Sequence, residues 1–197
     1  MSAGTWWLLA GYAGLAGLLL LEALARHDGP AASMDTSPDD RGTSLTIGLA
    51  FAVAACLPPL LRLLPAGTLP LAVAPAGLVI EGAGLALRGW SMRTLGRFYS
   101  RTLRTEGDGH RLVRSGPYRL VRHPGYAGSL LIWAGFALTS ASALALVAVA
   151  ALLGWAYGRR IAAEERLLEQ RLPGYADYRA VTGALLPVVR RRGGPRR

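Results

Sequence analysis

Residues Pro124 to Gly158 read PGYAGSLLIWAGFALTSASALALVAVAALLGWAYG and contain no charged side chain. As a single helix this stretch would measure about 53 Å at about 1.5 Å per residue, against a hydrocarbon core of about 30 Å. It is too long for one crossing. Thr139-Ser140-Ala141-Ser142 lies inside it, a cluster of small residues whose hydroxyls can cap a new helix. A helical hairpin fits better than a single helix. Its first arm, about Tyr126 to Leu138, is short for a full crossing, which places the turn within or just beyond the far interface. The second arm, counted from Ala143 to Arg171, would be about 43 Å long and must protrude from the bilayer.

Upstream, Trp6 to Ala25 carries only Glu22, Leu45 to Leu61 carries no charge, and Leu63 to Leu87 carries only Glu81. Each run approaches the roughly 20 residues that span a bilayer. Met1 to Thr5 lacks a basic region, so the first run reads as a retained helix and not as a signal peptide. Pro58-Pro59 and Pro65 mark the end of the second helix. The fold class is therefore all-α and polytopic. We expect about five transmembrane helices, with four as the alternative, the last two forming a hairpin, plus a cytosolic cofactor-binding loop and a C-terminal helix. Residues 1–197 are expected to form one domain, with three membrane helices over 1–87 and a catalytic half over 88–197.

The composition agrees. Of the 197 residues, 52% are hydrophobic and 17% charged, and the formal net charge is +10. All 22 basic residues are arginine, which excludes Schiff-base lysine chemistry and a P-loop. The single Cys56 excludes an intramolecular disulfide framework, and three scattered histidines make a metal site improbable. Nucleic-acid binding, the usual reading of so basic a chain, is disfavoured because the arginines flank apolar runs. If the hairpin returns, 21 arginines share one side and Arg62 stands alone on the other. By the positive-inside bias the crowded side is cytoplasmic and the N-terminus outside, in a bacterial inner membrane. The Pro-, Asp- and Ser-rich loop Arg26 to Ser44 reads as a flexible connection, and the arginine-rich tail Arg190 to Arg197 as an anchor at an anionic lipid surface.

Only two large polar pieces can hold a soluble ligand, Arg88 to Arg122 and Arg159 to Pro187. Gly116-Pro117 and His123-Pro124 forbid a continuous helix and turn the chain sharply into the membrane, leaving backbone polar groups free beside aromatic rings. A rigid interfacial loop anchored by Tyr118 and Tyr126 satisfies the same pattern. Arg160 and Glu164, four apart where the hairpin emerges, share a helical face; they can pair or present opposite charges to a bound molecule. A solvated helix end is the plainer reading of that spacing.

Taken together, Leu95-Gly96-Arg97-Phe98, His110 to Val113, Ser115-Gly116-Pro117-Tyr118, Arg122-His123-Pro124-Gly125-Tyr126-Ala127-Gly128, Glu164-Glu165 and Gly174-Tyr175 with Tyr178 ahead of Leu186-Pro187 form a specific combination. It resembles the isoprenylcysteine carboxyl methyltransferase and phospholipid methyltransferase superfamily of integral membrane enzymes, over Leu95 to Pro187. The resemblance implies S-adenosylmethionine as cofactor, lined by His110, Arg111, Leu112, Val113, Tyr118, His123, Pro124, Gly125 and Tyr126, with Glu164 at its polar end. Arg160 would face the methyl acceptor together with Glu165, and Arg160 and Arg122 are the candidate catalytic residues. Leu172-Pro173-Gly174 and Thr182-Gly183 depart from the family pattern.

The residue types suit that chemistry. A sulfonium, an ammonium and a carboxylate call for an acid, donors and an aromatic wall. In-line methyl transfer needs alignment and a shielded cavity, not a covalent nucleophile. Gly82-Ala83-Gly84 and Gly107-Asp108-Gly109 are lone Gly-x-Gly pairs without the strand–helix unit of a dinucleotide fold. The expected partners are the bilayer and a lipophilic acceptor, with no nucleic acid and no metal. A carboxylate acceptor is favoured; a phospholipid amine, a small thiol, or a non-catalytic membrane module are the alternatives. Glu81, inside a membrane segment, is a functional suspect that would pair with Arg88 or another arginine.

Overall fold

The computed structural model describes residues 2–24, 42–96 and 112–188. His110, Arg111, the 26–41 connection and the arginine tail lie outside the described residues. Six α-helices follow in order: α1 (Ala3–Leu24), α2 (Thr43–Leu61), α3 (Ala74–Leu95), α4 (Pro124–Thr139), α5 (Ala143–Arg171) and α6 (Tyr175–Val181). Among the described residues there is no strand, only the isolated bridges Thr68–Ser142 and Val121–Gly183.

Among the described residues four helices are long and apolar enough to cross a membrane: α1, α2, Leu71–Leu95 and α5. The fifth expected segment, α4, has 16 residues and measures about 24 Å, short of a full core. The structure thus has four full-length spans and one short arm. The hairpin itself forms at the expected place. Ser142 caps α5, its hydroxyl accepting from the Ala145 amide at 3.2 Å. Ala141 takes a left-handed φ of 53° in the turn. The 62–70 loop braces that turn, the Leu69 amide donating to the Ala141 carbonyl at 2.8 Å and the Ala143 amide to Gly67 at 2.7 Å. Pro58 and Pro59 lie within the last turn of α2 and not beyond it. α3 runs unbroken through the 87–88 boundary drawn from the sequence.

The bundle is apolar outside as well as inside. Leu19, Leu45, Val79 and Val147 are each more than 60% exposed, as lipid-facing residues are. With lipid no less apolar than the core, helix association rests on close backbone approach. That approach is built from glycine between α3 and α4. A Cβ on Gly84 would stand 2.7 Å from the Gly128 carbonyl, and one on Gly77 would stand 2.7 Å from that of Gly135. Gly84 therefore serves helix packing, while a Cβ on Gly82 would meet open space, and both lie inside α3 and not in a nucleotide loop.

Glu81 sits in this seam, 2% exposed, its carboxyl pressed against Gly14 of α1. Neither carboxyl oxygen has a hydrogen-bond partner among the described residues. The expected Glu81–Arg88 pair does not form. The Arg88 guanidinium, two turns further along α3, pairs with Glu22 of α1 and donates to the Gly125 carbonyl at 2.9 Å and to Ser129 Oγ at 2.6 Å.

Candidate active site

Arg88, Arg122, His123, Arg160, Glu164 and Glu165 meet at one end of the bundle, where α1 and α3 finish, α2 and α4 begin, and α5 emerges. Pro124 sits at the first position of α4, where its missing N–H costs nothing, and its fixed φ sets the helix start. His123 precedes it as the N-cap residue, 5% exposed. Its Nε2 lies 3.1 Å from Glu165 Oε1 and its Nδ1 3.9 Å from Glu164 Oε2. One turn on, the Tyr126 ring stacks on the imidazole, with centroids 5.5 Å apart and planes 10° apart.

The two adjacent glutamates differ. Glu165 is held on several sides: the Arg122 Nε donates to it at 2.8 Å, the other Arg122 nitrogen approaches to 2.6 Å, and Arg179 Nε to 3.4 Å. Its side chain is 10% exposed. Glu164 is 26% exposed and accepts a hydrogen bond from Tyr126, at 2.5 Å. An ionised carboxylate offers about four acceptor sites, so Glu164 keeps capacity for a cationic ligand while Glu165 organises the protein around it.

Arg160, 2% exposed, is tied to the same centre. Its Nε donates to the Tyr126 hydroxyl at 3.2 Å, and a terminal nitrogen donates to Thr43 Oγ1 at 2.9 Å and Ser44 Oγ at 3.1 Å. Arg160 and Glu164 therefore communicate through Tyr126 rather than by a direct pair. Sequence reasoning missed Thr43 and Ser44, which come from α2; no local pattern announces a contact across 117 residues. Below Tyr126 an aromatic wall descends into the apolar bundle, with Tyr126 to Tyr157 at 5.0 Å and Tyr157 to Phe51 at 6.3 Å.

Arg122 directs its hydrogen bonds inward, to Glu165 and to the carbonyls of Thr182 and Arg179. It acts with the C-terminal segment as a clamp. The Arg122 and His123 amides donate to Gly183 and Ala184 at 2.8 and 2.9 Å, and the Tyr178 hydroxyl donates to the Tyr118 carbonyl at 2.5 Å. Arg114 donates to the Gly174 carbonyl at 2.7 Å and lies over the Tyr178 ring. Burial pushes the Tyr178 phenol up to about 12 against the pull of Arg122 and Arg114, so it remains a donor at neutral pH. Burial likewise raises Tyr175 well above its ordinary value.

Leu112 and Val113 line a cleft of about 560 Å³ with Thr94, Leu95, Arg114, Ser115 and Arg119. Leu112 also packs against the cluster of Leu172, Tyr175 and Tyr178, whereas His123, Tyr126, Arg160, Glu164 and Glu165 do not line this cleft. Of the residues named from the sequence, the structure gathers His123, Tyr126, Arg160, Glu164, Glu165 and Arg122 into one network. Pro124 and Gly125 form the first turn of α4, with the Gly125 carbonyl held by Arg88, and Leu112, Val113 and Tyr118 belong to the adjoining loop. Among the described residues no group of three or more His, Cys, Asp or Glu is placed to hold a metal ion.

An all-α bundle with several helices long and apolar enough to cross a bilayer, and a charged, aromatic-walled centre at one end, defines an integral membrane protein. Over residues 76–170 the chain matches the model of the isoprenylcysteine carboxyl methyltransferase (ICMT) family, and the resemblance read from its motifs holds over that stretch. It is 35% identical over 120 residues to a probable protein-S-isoprenylcysteine O-methyltransferase of Oryza sativa subsp. indica, covering 59% of this chain and 62% of the relative. It is 36% identical over 104 residues to the cobalt-zinc-cadmium resistance protein CzcN of Cupriavidus metallidurans, covering 52% and 48%. The fold is similar to the solved structure of the eukaryotic intramembrane Ras methyltransferase ICMT, with TM-score 0.56, 23% identity, and coverage of 79% of this chain and 55% of that one. The chain spans less than two thirds of the length of these relatives.

Proposed function

We propose that the chain transfers a methyl group from S-adenosylmethionine to a lipophilic, membrane-embedded acceptor, most favourably a carboxylate as in isoprenylcysteine carboxyl methylation. The observation that carries this reading is the convergence of His123 and Glu164, 3.9 Å apart, with Arg160 joined to the same glutamate through Tyr126. The residues fit the cofactor's chemistry. Glu164 has spare acceptor capacity for a cation, His123 and Tyr126 present stacked rings, and Tyr175 holds a buried hydroxyl without a hydrogen bond.

When bound, S-adenosylmethionine supplies an electrophilic methyl group. Glu164 holds its cationic amino-acid end, with His123, Tyr126, Leu112, Val113 and Tyr118 around it, and with His110 and Arg111 as further cofactor residues. Arg160 orients the acceptor carboxylate and partly neutralises it. A carboxylate is already ionised at pH 7, so no general base is required. The wall from Tyr126 through Tyr157 to Phe51 accepts the apolar tail and excludes water from the transfer. Arg122 and Glu165 position His123 from behind. The acceptor enters laterally from the bilayer, and the cofactor enters from the cytoplasmic side, which the 21 arginines mark. The three N-terminal helices and the catalytic half work as one domain, since α2 and α1 supply partners to Arg160 and Arg88.

The test is titration of the detergent-solubilised full chain with S-adenosylmethionine. Wild type binds, and His123→Ala and Glu164→Ala lose binding while retaining the helical circular-dichroism spectrum. A folded wild type that does not bind rejects the proposal in favour of a non-catalytic membrane module. Methyl-labelled cofactor incubated with membranes identifies the acceptor; labelled phospholipid or thiol in place of a carboxyl ester would reassign its class.

A further inference from the structure

Tyr175 opens α6 just beyond the stretch that matches the family model. Its side chain is almost entirely enclosed, at 2% exposure, within the cluster it forms with Leu172 and Tyr178, against which Leu112 of the cleft packs. A tyrosine in such a place ordinarily finds a partner for its hydroxyl, because a buried hydroxyl without one destabilises the fold. This one has none. The surroundings are not short of polar groups: Arg122 acts on the phenol both as a charge and as a neighbouring N–H donor, and Glu165 and Glu164 act on it electrostatically. Arg122 gives its N–H groups to Glu165, Thr182 and Arg179, and Glu165 takes His123, Arg122 and Arg179. An arginine can only donate, so Arg122 cannot take the phenol's proton, and among the described residues no group accepts it.

We propose that Tyr175 is a further cofactor-binding residue, its hydroxyl donating to the carboxylate at the amino-acid end of S-adenosylmethionine. The inference rests on the cofactor reading above and adds a division of labour to it. Glu164 takes the ammonium, and Tyr175 takes the carboxylate from the C-terminal segment. A phenol suits this position better than another cation would. It supplies a donor without adding charge to a centre whose Glu164 must stay available, and burial keeps its proton in place across the neutral range. The hydroxyl's lack of a protein partner then has a function, since a donor already engaged would have to be released before the ligand could use it.

The experiment compares Tyr175→Phe with wild type in binding titrations of the full chain in detergent, using S-adenosylmethionine and its decarboxylated analogue. The substitution removes one oxygen that makes no hydrogen bond, so the ligand-free unfolding midpoint stays the same or rises. Affinity for S-adenosylmethionine falls about tenfold or more, the usual worth of a hydrogen bond to a charged group. Affinity for the decarboxylated analogue is the same in both proteins. An unchanged affinity for S-adenosylmethionine, an equal loss for both ligands, or a lowered ligand-free midpoint assigns Tyr175 to packing and overturns the inference. A wild type that binds neither ligand overturns the cofactor reading itself, a result distinct from the selective comparison.

Discussion

The two ends of the helical bundle are built by different means. At the end where α1 begins, Arg62 donates to the Gly4 carbonyl at 3.1 Å, and main-chain hydrogen bonds lace the 62–70 loop to the hairpin turn. Among the described residues the bonds there join backbone to backbone or a side chain to backbone, apart from one exposed pair between Ser2 and Thr5, and the result is closure. At the opposite end Glu22, Arg88, Arg122, His123, Tyr126, Arg160, Glu164 and Glu165 converge from five segments, and some of their capacity is left over. Both ends carry a buried or half-buried arginine, so the presence of an arginine at a membrane boundary does not mark a site. What marks it is a network that holds its members in place and still leaves an acceptor such as Glu164, or a donor such as Tyr175, for something else.

Exchanging the two arginines sharpens this contrast most. Arg160→Ala lowers kcat/KM for a carboxylate acceptor by about 10- to 100-fold, the range expected when a charged hydrogen-bonding group is lost, and leaves cofactor affinity within a few-fold. Arg62→Ala leaves both untouched and lowers the unfolding free energy by about 1 kcal/mol or less. Steady-state kinetics and denaturation of both variants check the pair, and similar kinetic losses would dissolve the distinction between the ends. Next in size is the seam that connects them. In Gly135→Val the new Cβ would stand 2.5 Å from the Glu81 amide nitrogen and the Gly77 carbonyl, which costs about 1–3 kcal/mol through overpacking and lowers the unfolding midpoint. Gly154 on α5 faces open space, and Gly154→Ala leaves the midpoint unchanged or raised. Equal destabilisation by the two would show that α3 and α4 do not depend on close approach.

Local patterns were legible in the sequence; distant pairings were not. The charge-free run from Pro124 to Gly158, together with the Thr139–Ser142 cluster, located the hairpin, and Ser142 caps the second arm as its residue type requires. The four-residue spacing put Arg160 and Glu164 on one face, but the intervening Tyr126 comes from α4 and no spacing reveals it. Glu22 and Arg88 stand 66 residues apart on different helices, so Glu81, nearer in sequence, was the natural but mistaken partner. The adjacent Glu164 and Glu165 look alike as letters. Only the positions of Arg122 and His123 separate the partly exposed acceptor from the internally engaged one. The clamp by residues 174–184 was least legible of all, since it acts largely through backbone carbonyls, which any sequence could offer.

That clamp gives the smallest effect and a pH dependence of defined sign. Tyr178 donates to the Tyr118 carbonyl, and burial raises its phenol from 10.0 to about 12. A group whose pKa is higher in the folded than in the unfolded chain contributes stability fully below the unfolded value and loses it as pH rises through the folded one. The Tyr178 contribution is therefore intact below about pH 10 and disappears as pH approaches 12. The chain has no lysine to obscure this window. Tyr178→Phe should lower the unfolding free energy at pH 7 by about 1 kcal/mol, the usual net worth of one hydrogen bond. The difference between variant and wild type should then shrink between pH 10 and 12, as wild type loses what the variant never had. Thermal unfolding followed across that range decides the matter. The absence of a gap at pH 7 would mean that the ring stabilises the clamp by packing under Arg114 and not by holding the Tyr118 carbonyl, which would leave the loop from Leu112 to His123 anchored by Arg114, Arg122 and the backbone.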